Sequence, residues 1–199
     1  KQIAKRKGYI YEDTGAMYRA MALFLIESHV SPEEPEKISE KCLEADISIV
    51  YEKGEQVVLL NGRNVNGLIR TEQVSNMASA SSVNGDVRKK LVELQQRLAE
   101  KADVVMDGRD IGTCVLPNAD LKIYLTASSE VRAKRRYDEM IARGEECDID
   151  VIKKDIEERD YRDMHRDISP LKQAEDAVLV DSSDMTIEEV IEKIMEMCN

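Results

Sequence analysis

The chain has 199 residues, 42% of them hydrophobic and 35% charged, a balance that fits one or two globular domains and excludes a disordered or fibrous polypeptide. Its net charge of −11 repels nucleic acid and anionic membrane in bulk, so any anionic ligand must be held by a local basic cluster. The longest apolar run, 21–26, is far short of the roughly 20 residues that span a bilayer, no signal peptide is evident, and Cys42, Cys114, Cys147 and Cys198 are too scattered for a CxxC site, so a cytoplasmic protein with reduced thiols is expected.

In chain order, 1–7 predicts the tail of a helix, with basic residues at its C-terminal end and Gly8 as the stop. Tyr9 to Tyr11 predict a short strand, and Asp13 or Thr14 a cap for a helix over 16–28 whose Met17, Met21, Phe24 and Leu25 share one face. The proline-rich 31–36 opens a helix to about Cys42. Two β-rich runs in 47–60 flank Lys53-Gly54-Glu55, a hairpin signal, and Asn61-Gly62 is a second tight turn. A charged helix is expected over 85–101, a buried strand over 103–107, another over 121–126, helices over 129–143 and 149–166, and a last strand over 177–181. Thr186 then caps a helix carrying Ile187, Val190, Ile191, Ile194 and Met197 at helical spacing. Short apolar strands alternating with amphipathic helices predict an α/β fold with a mostly parallel sheet.

Of fourteen arginines, seven fall between 132 and 166. Arg132, Arg135 and Arg136 share one helix face, and Arg159, Arg162 and Arg166 share another, with Asp163 between them. Two such faces suit polyphosphate, which guanidinium groups grip in bidentate fashion, and one such arginine is worth roughly 10³–10⁵ in a phosphoryl-transfer rate. The bland alternative pairs them with Glu130, Asp138, Glu139, Glu157 and Glu158 on a solvated face. Asp107-Gly108-Arg109-Asp110 closes a strand, where parallel α/β sheets place their ligands; a tight turn with an internal ion pair is the alternative. Asp13 to Arg19 lie at another strand-to-helix junction, where free N–H groups favour an anion, unless they form only an ordinary capped core helix. His29 and His165 lack partners at metal-ligand spacing.

The ordered set DTGAMYR, IRTEQVSNMAS, DGRDIGT, LTASSEVRAKRR and ERDYRD followed by Arg166 resembles the bacterial cytidylate kinases. The resemblance implies a P-loop kinase fold, a parallel sheet with helices on both faces, in a single domain over 1–199, with an NMP-binding insertion at 32–100 that contains the β-hairpin and a short lid at 129–147. It implies transfer of the γ-phosphate of ATP, with Mg²⁺, to CMP or dCMP by a monomer that binds neither nucleic acid nor membrane. Carried over by residue, Thr14, Tyr18 and Arg19 line the CMP site, Ser79 and Arg88 face the cytosine, and Arg109 and Asp110 touch phosphate and ribose. Arg159, Asp163 and Arg166 bind phosphate and sugar, and Arg132, Arg135 and Arg136 close over the transferring phosphate. The catalytic set is Arg109, Arg132, Arg135, Arg136 and Arg159, with no protein metal ligand.

One departure stands out. No GxxxxGK[ST], the loop that cradles nucleotide phosphates in this fold, occurs in the 199 residues. The expectation is therefore a truncated copy lacking the first strand and P-loop, with exposed strand edges, weak CMP binding and little kinase activity. The competing readings are a noncatalytic CMP-binding fragment and a kinase for UMP or AMP. An RNA-binding role is disfavoured by the pI of about 4.8 and the scarcity of aromatic residues.

Overall fold

A computed structural model describes residues 1–198. The chain divides into two compact units, Lys1–Ile111 and Gly112–Asn199.

In the first unit, α1 (Gln2–Lys7) ends as expected, with Lys5, Arg6 and Lys7 in its last turn and Gly8 at φ 73°, a left-handed stop that a side chain would strain. β1 (Ile10–Asp13) runs parallel to β5 (Val104–Asp107) in the register Ile10↔Val104 to Asp13↔Asp107, so both strands finish on an aspartate. The strand lies slightly later than Tyr9 to Tyr11, because Asp13 serves both as its last residue and as the cap of α2 (Thr14–Glu27), accepting the Ala16 N–H. On α2, Met17, Met21 and Leu25 are fully buried, whereas Phe24 is only partly so. Each full burial of this kind contributes about 1.5–3 kcal/mol.

α3 (Pro35–Cys42) leads to the hairpin of β2 (Ile47–Glu52) and β3 (Glu55–Leu60). Lys53 at φ 54° and Gly54 at φ 80° both turn left-handed, the geometry that matches strand twist in a two-residue loop. Asn61 and Gly62 repeat it before β4 (Arg63–Asn64), giving a three-stranded antiparallel sheet. α4 (Glu72–Ser81), capped by Thr71, and α5 (Gly85–Ala99), capped by Asn84, complete the unit. Val74, Met77, Val87 and Leu91 join the α2 face and the inward residues of β3 in one core.

A π-helical turn, Ile111–Val115, lies where the units meet in sequence. In the second unit, β6 (Ile123–Thr126) pairs in parallel with β7 (Val178–Asp181). α6 (Ser129–Ala142) and α7 (Ile149–His165) are capped by Ser128 and Asp148. α8 (Ile187–Met197) starts in a reciprocal capping box of Thr186 and Glu189 and buries Ile191 and Ile194. Lys122 is buried with its ammonium on Asp176, 2.6 Å away, which holds the entry to β6 against the loop before β7.

The α/β class and the parallel pairing are as expected, but the sheet is not continuous. Among the described residues the four parallel strands form two pairs, one in each unit. A ladder needs strands within hydrogen-bond reach, and none of the described strands bridges β5 and β6.

Candidate functional site

The aspartates that end β1 and β5 organise one end of the first unit. The Thr14 hydroxyl, buried at the start of α2, donates to the Asp107 carbonyl at 2.7 Å. Gly108 permits this closeness: a Cβ there would lie 2.4 Å from Thr14 Oγ1 and 2.8 Å from Ile111 Cδ1. Tyr11 Oη donates to Asp107 Oδ2 at 3.1 Å. Crowding by protein atoms raises the Asp107 carboxyl above its ordinary range, and the neighbouring Asp13 charge adds to the rise. Arg19 acts on the same carboxyl in the opposite direction.

Arg19 folds back over the first turn of α2, so that a Cβ on Gly15 would lie 3.4 Å from its Nη1. That Nη1 is buried and has no hydrogen-bond partner among the described residues. A desolvated guanidinium N–H without an acceptor is costly, so the position favours an added hydrogen-bond acceptor.

The next link runs through α5. Arg88 is 3% exposed and forms a buried ion pair with Asp110. Its guanidinium carbon lies 5.6 Å from the Tyr18 ring centroid, a cation–π distance. Its Nη1 donates to the Ser82 carbonyl at 3.1 Å, and Ser82 Oγ donates to the Ser79 carbonyl at 2.9 Å. The first unit thus holds two groups: Thr14 bonded to Asp107, with Arg19 acting on the same carboxyl, and Arg88 joined to Asp110, to Tyr18 and, through Ser82, to Ser79. Arg109 is half-buried between Gly108 and Asp110 in sequence.

The second unit gathers the remaining arginines in different ways. Arg132 of α6 donates from Nε to the Ala127 carbonyl at 3.0 Å and reaches Asp160 of α7 at 2.5 Å. Arg135 donates to the carbonyls of Ser182 and Met185, at 2.6 and 3.2 Å. Arg136 is exposed. On α7, Arg159 Nε stands 4.0 Å from Asp163, while Arg166, its side chain buried, stands 3.7 Å from Asp163 and donates to the Ser169 carbonyl at 2.7 Å. The bland pairing holds in part: Arg132 pairs with Asp160, Arg159 and Arg166 with Asp163, and the exposed Arg143 with Glu145, whereas most of the acids named for it go to lysines. Lys153 takes Glu130 and Glu157, Lys134 takes Asp138 and Lys154 takes Glu158. The Lys153 ammonium pulls the Glu130 carboxyl down to about 2.

Three residues that frame the first cluster have no individual binding role in the sequence reading. Asp107 stood in plain view as the first residue of DGRD. Asp13 was read only as a cap, yet it also lies 3.6 Å from Arg70. Gln56 of β3 carries no sequence signal at all, although its side chain meets the Asp13 backbone.

Arginines and a helix N-terminus near the carboxyl ends of parallel strands, as at β1 and β5 of the first unit, are features that α/β proteins use to handle phosphates. A family model described as cytidylate kinase matches residues 1–199. The chain is 49% identical over 197 residues to a cytidylate kinase of Caldicellulosiruptor saccharolyticus, covering 99% of this chain and 87% of that one. The values are 47%, 99% and 88% for that of Ligilactobacillus salivarius, and 45%, 98% and 88% for that of Bacillus subtilis. The chain belongs to the cytidylate kinase family, and is by that membership a nucleoside monophosphate kinase. The expectation of a truncated, inactive copy gains no support from these matches. No helix among the described residues is long and apolar enough to cross a membrane.

Proposed function

We propose that the protein transfers the γ-phosphate of ATP to CMP and dCMP, with Thr14, Tyr18, Arg19, Ser79, Arg88, Arg109 and Asp110 forming the acceptor site. The observation that carries the assignment is Arg19, whose buried Nη1 awaits an acceptor beside the N-terminus of α2. A nucleotide phosphate supplies that acceptor, and the N–H groups of the α2 first turn favour its charge. Ser79 and Arg88 are tied together through Ser82 and present hydroxyl and guanidinium groups to a cytosine. Arg159, Asp163 and Arg166 add phosphate and sugar contacts. Arg132, Arg135 and Arg136, in a lid over 129–147, neutralise charge on the group in flight and exclude water. Residues 32–100 form the NMP-binding insertion, and the whole chain acts as one monomeric kinase domain.

Kinases of this family take ATP with Mg²⁺, which neutralises charge on the β- and γ-phosphate oxygens. Among the described residues no three His, Cys, Asp or Glu side chains gather as a metal cage. The ion enters with ATP as MgATP, bound by the phosphate oxygens.

The test is a coupled ADP-release assay on the protein as its gene encodes it, with ATP, Mg²⁺ and each of CMP, dCMP, UMP and AMP. Turnover should favour CMP and dCMP. Preference for UMP or AMP overturns the acceptor assignment, and silence on all four overturns the activity.

A further inference from the structure

We propose that Gln56 is a positioning residue for the acceptor nucleotide, its side-chain amide fastening the hairpin to the residue that caps α2. The inference rests on the reading of Thr14, Tyr18 and Arg19 as acceptor-site residues.

The contact is made in both directions. The Asp13 N–H donates to Gln56 Oε1 at 2.7 Å, and Gln56 Nε2 donates to the Asp13 carbonyl at 3.3 Å. A primary amide has the same donor and acceptor as a peptide group, so Gln56 does at Asp13 what a neighbouring strand does along a ladder. Asp13 already carries three other duties. It ends β1 opposite Asp107, its carboxylate accepts the Ala16 N–H at 3.1 Å, and it faces Arg70 at 3.6 Å.

Its backbone is therefore the pivot between strand and helix. Thr14 follows directly, and Arg19 lies in the second turn of α2. Binding groups must hold their places within about 0.5 Å to keep a productive geometry. Thr14 is further fixed by its bond to the Asp107 carbonyl, beside Gly108, whose lack of a Cβ admits the Thr14 hydroxyl. A shift of Asp13 is transmitted to the whole group.

The hairpin itself does not need a glutamine here. Gln56 is half-buried opposite Tyr51, where an aliphatic or β-branched side chain makes an equal or better strand former. The amide is required only by its partner, 43 residues away.

The experiment compares wild type, Gln56→Leu, Gln56→Glu and Arg19→Ala for KM of CMP, KM of ATP, kcat and melting temperature. Gln56→Leu removes donor and acceptor and should raise KM for CMP about tenfold, equivalent to roughly 1.4 kcal/mol. KM for ATP should stay constant, and the melting temperature within about 2 °C of wild type. Gln56→Glu keeps the acceptor for the Asp13 N–H and should fall between the two. An unchanged KM for CMP in Gln56→Leu, with Arg19→Ala strongly impaired, overturns the positioning role alone. An unimpaired Arg19→Ala overturns the acceptor-site reading beneath it. A parallel rise in both KM values with a lowered melting temperature identifies a folding defect and also overturns the proposal.

Discussion

Arg88 shows how one residue can serve both fold and ligand. Its side chain is 4% exposed and that of Asp110 6%, so the pair has lost most of its hydration. The attraction between them offsets much of that loss, but removing one partner leaves the other as a buried, uncompensated charge. Arg88→Met should destabilise the protein by about 3–5 kcal/mol, since the buried Asp110 carboxylate loses this ion pair. Arg88→Met combined with Asp110→Leu should recover a substantial part of that loss, because neither charge then remains. Urea midpoints of the two single variants and the double variant decide it. If the double variant falls by the sum of the singles, the two side chains are not coupled. CMP binding should fail in all three, because the pairing and the proposed base contact use the same guanidinium.

The hairpin β2–β3 reaches β1 at two adjacent residues, and the second contact titrates. Glu12 is 1% exposed, Tyr51 Oη donates to its Oε1 at 3.3 Å, and its Oε2 is buried with no hydrogen-bond partner among the described residues. Burial raises the Glu12 carboxyl from 4.5 to about 7, the Tyr51 bond opposing only part of that rise. A raised carboxyl binds its proton more tightly in the folded state. The stability it contributes is fully present below pH 4.5 and is lost as pH climbs through about 7. Glu12→Gln removes the charge and keeps an acceptor for Tyr51. Its melting temperature should therefore exceed that of wild type at about pH 8.5 and approach it at about pH 5.5. Glu130, held at about 2 by Lys153, is ionised across this whole window and does not mask the effect. Melts that stay parallel across the range exclude the titration of Glu12. Contacts of this kind also mark the limit of what the sequence reveals. Caps, helical periodicity and turn residues are local, so a cap at Asp13 or Thr14, the Thr186 cap, most of the buried face of α2 and a turn around Lys53-Gly54-Glu55 are legible in the sequence. α4 passed unnoticed because its buried side is Val74, Met77, Ala78 and Ser81, too weakly apolar to stand out, and the π-helical turn at Ile111–Val115 has no composition of its own. Tyr51 with Glu12 and Gln56 with Asp13 join residues 39 and 43 apart. No local pattern records such pairs, so the hub at Asp13 became visible only in three dimensions.

At the scale of the whole molecule, two electrostatic effects of opposite sign coexist. The net charge of −11 makes the compact state repel itself, and surface ion pairs such as Lys134–Asp138 and Lys41–Glu44 recover little of that cost. The proposed ligand site is the reverse, a local concentration of guanidinium groups in an acidic background. Raising salt from about 20 mM to about 300 mM shortens the screening length from roughly 20 Å to roughly 6 Å. Repulsion spread over the surface acts across longer distances than that and is largely removed, so the melting temperature of the free protein should rise. An arginine contact to a nucleotide phosphate is short, yet its approach field is also screened, and competing anions occupy the site. The dissociation constant for CMP should therefore increase severalfold over the same range. Differential scanning fluorimetry and titration calorimetry at matched salt concentrations measure both. Opposite slopes are the expected result. If CMP binds more tightly as salt rises, the repulsion of the whole acidic surface outweighs the arginines, and the assignment of Arg19 as the phosphate anchor fails.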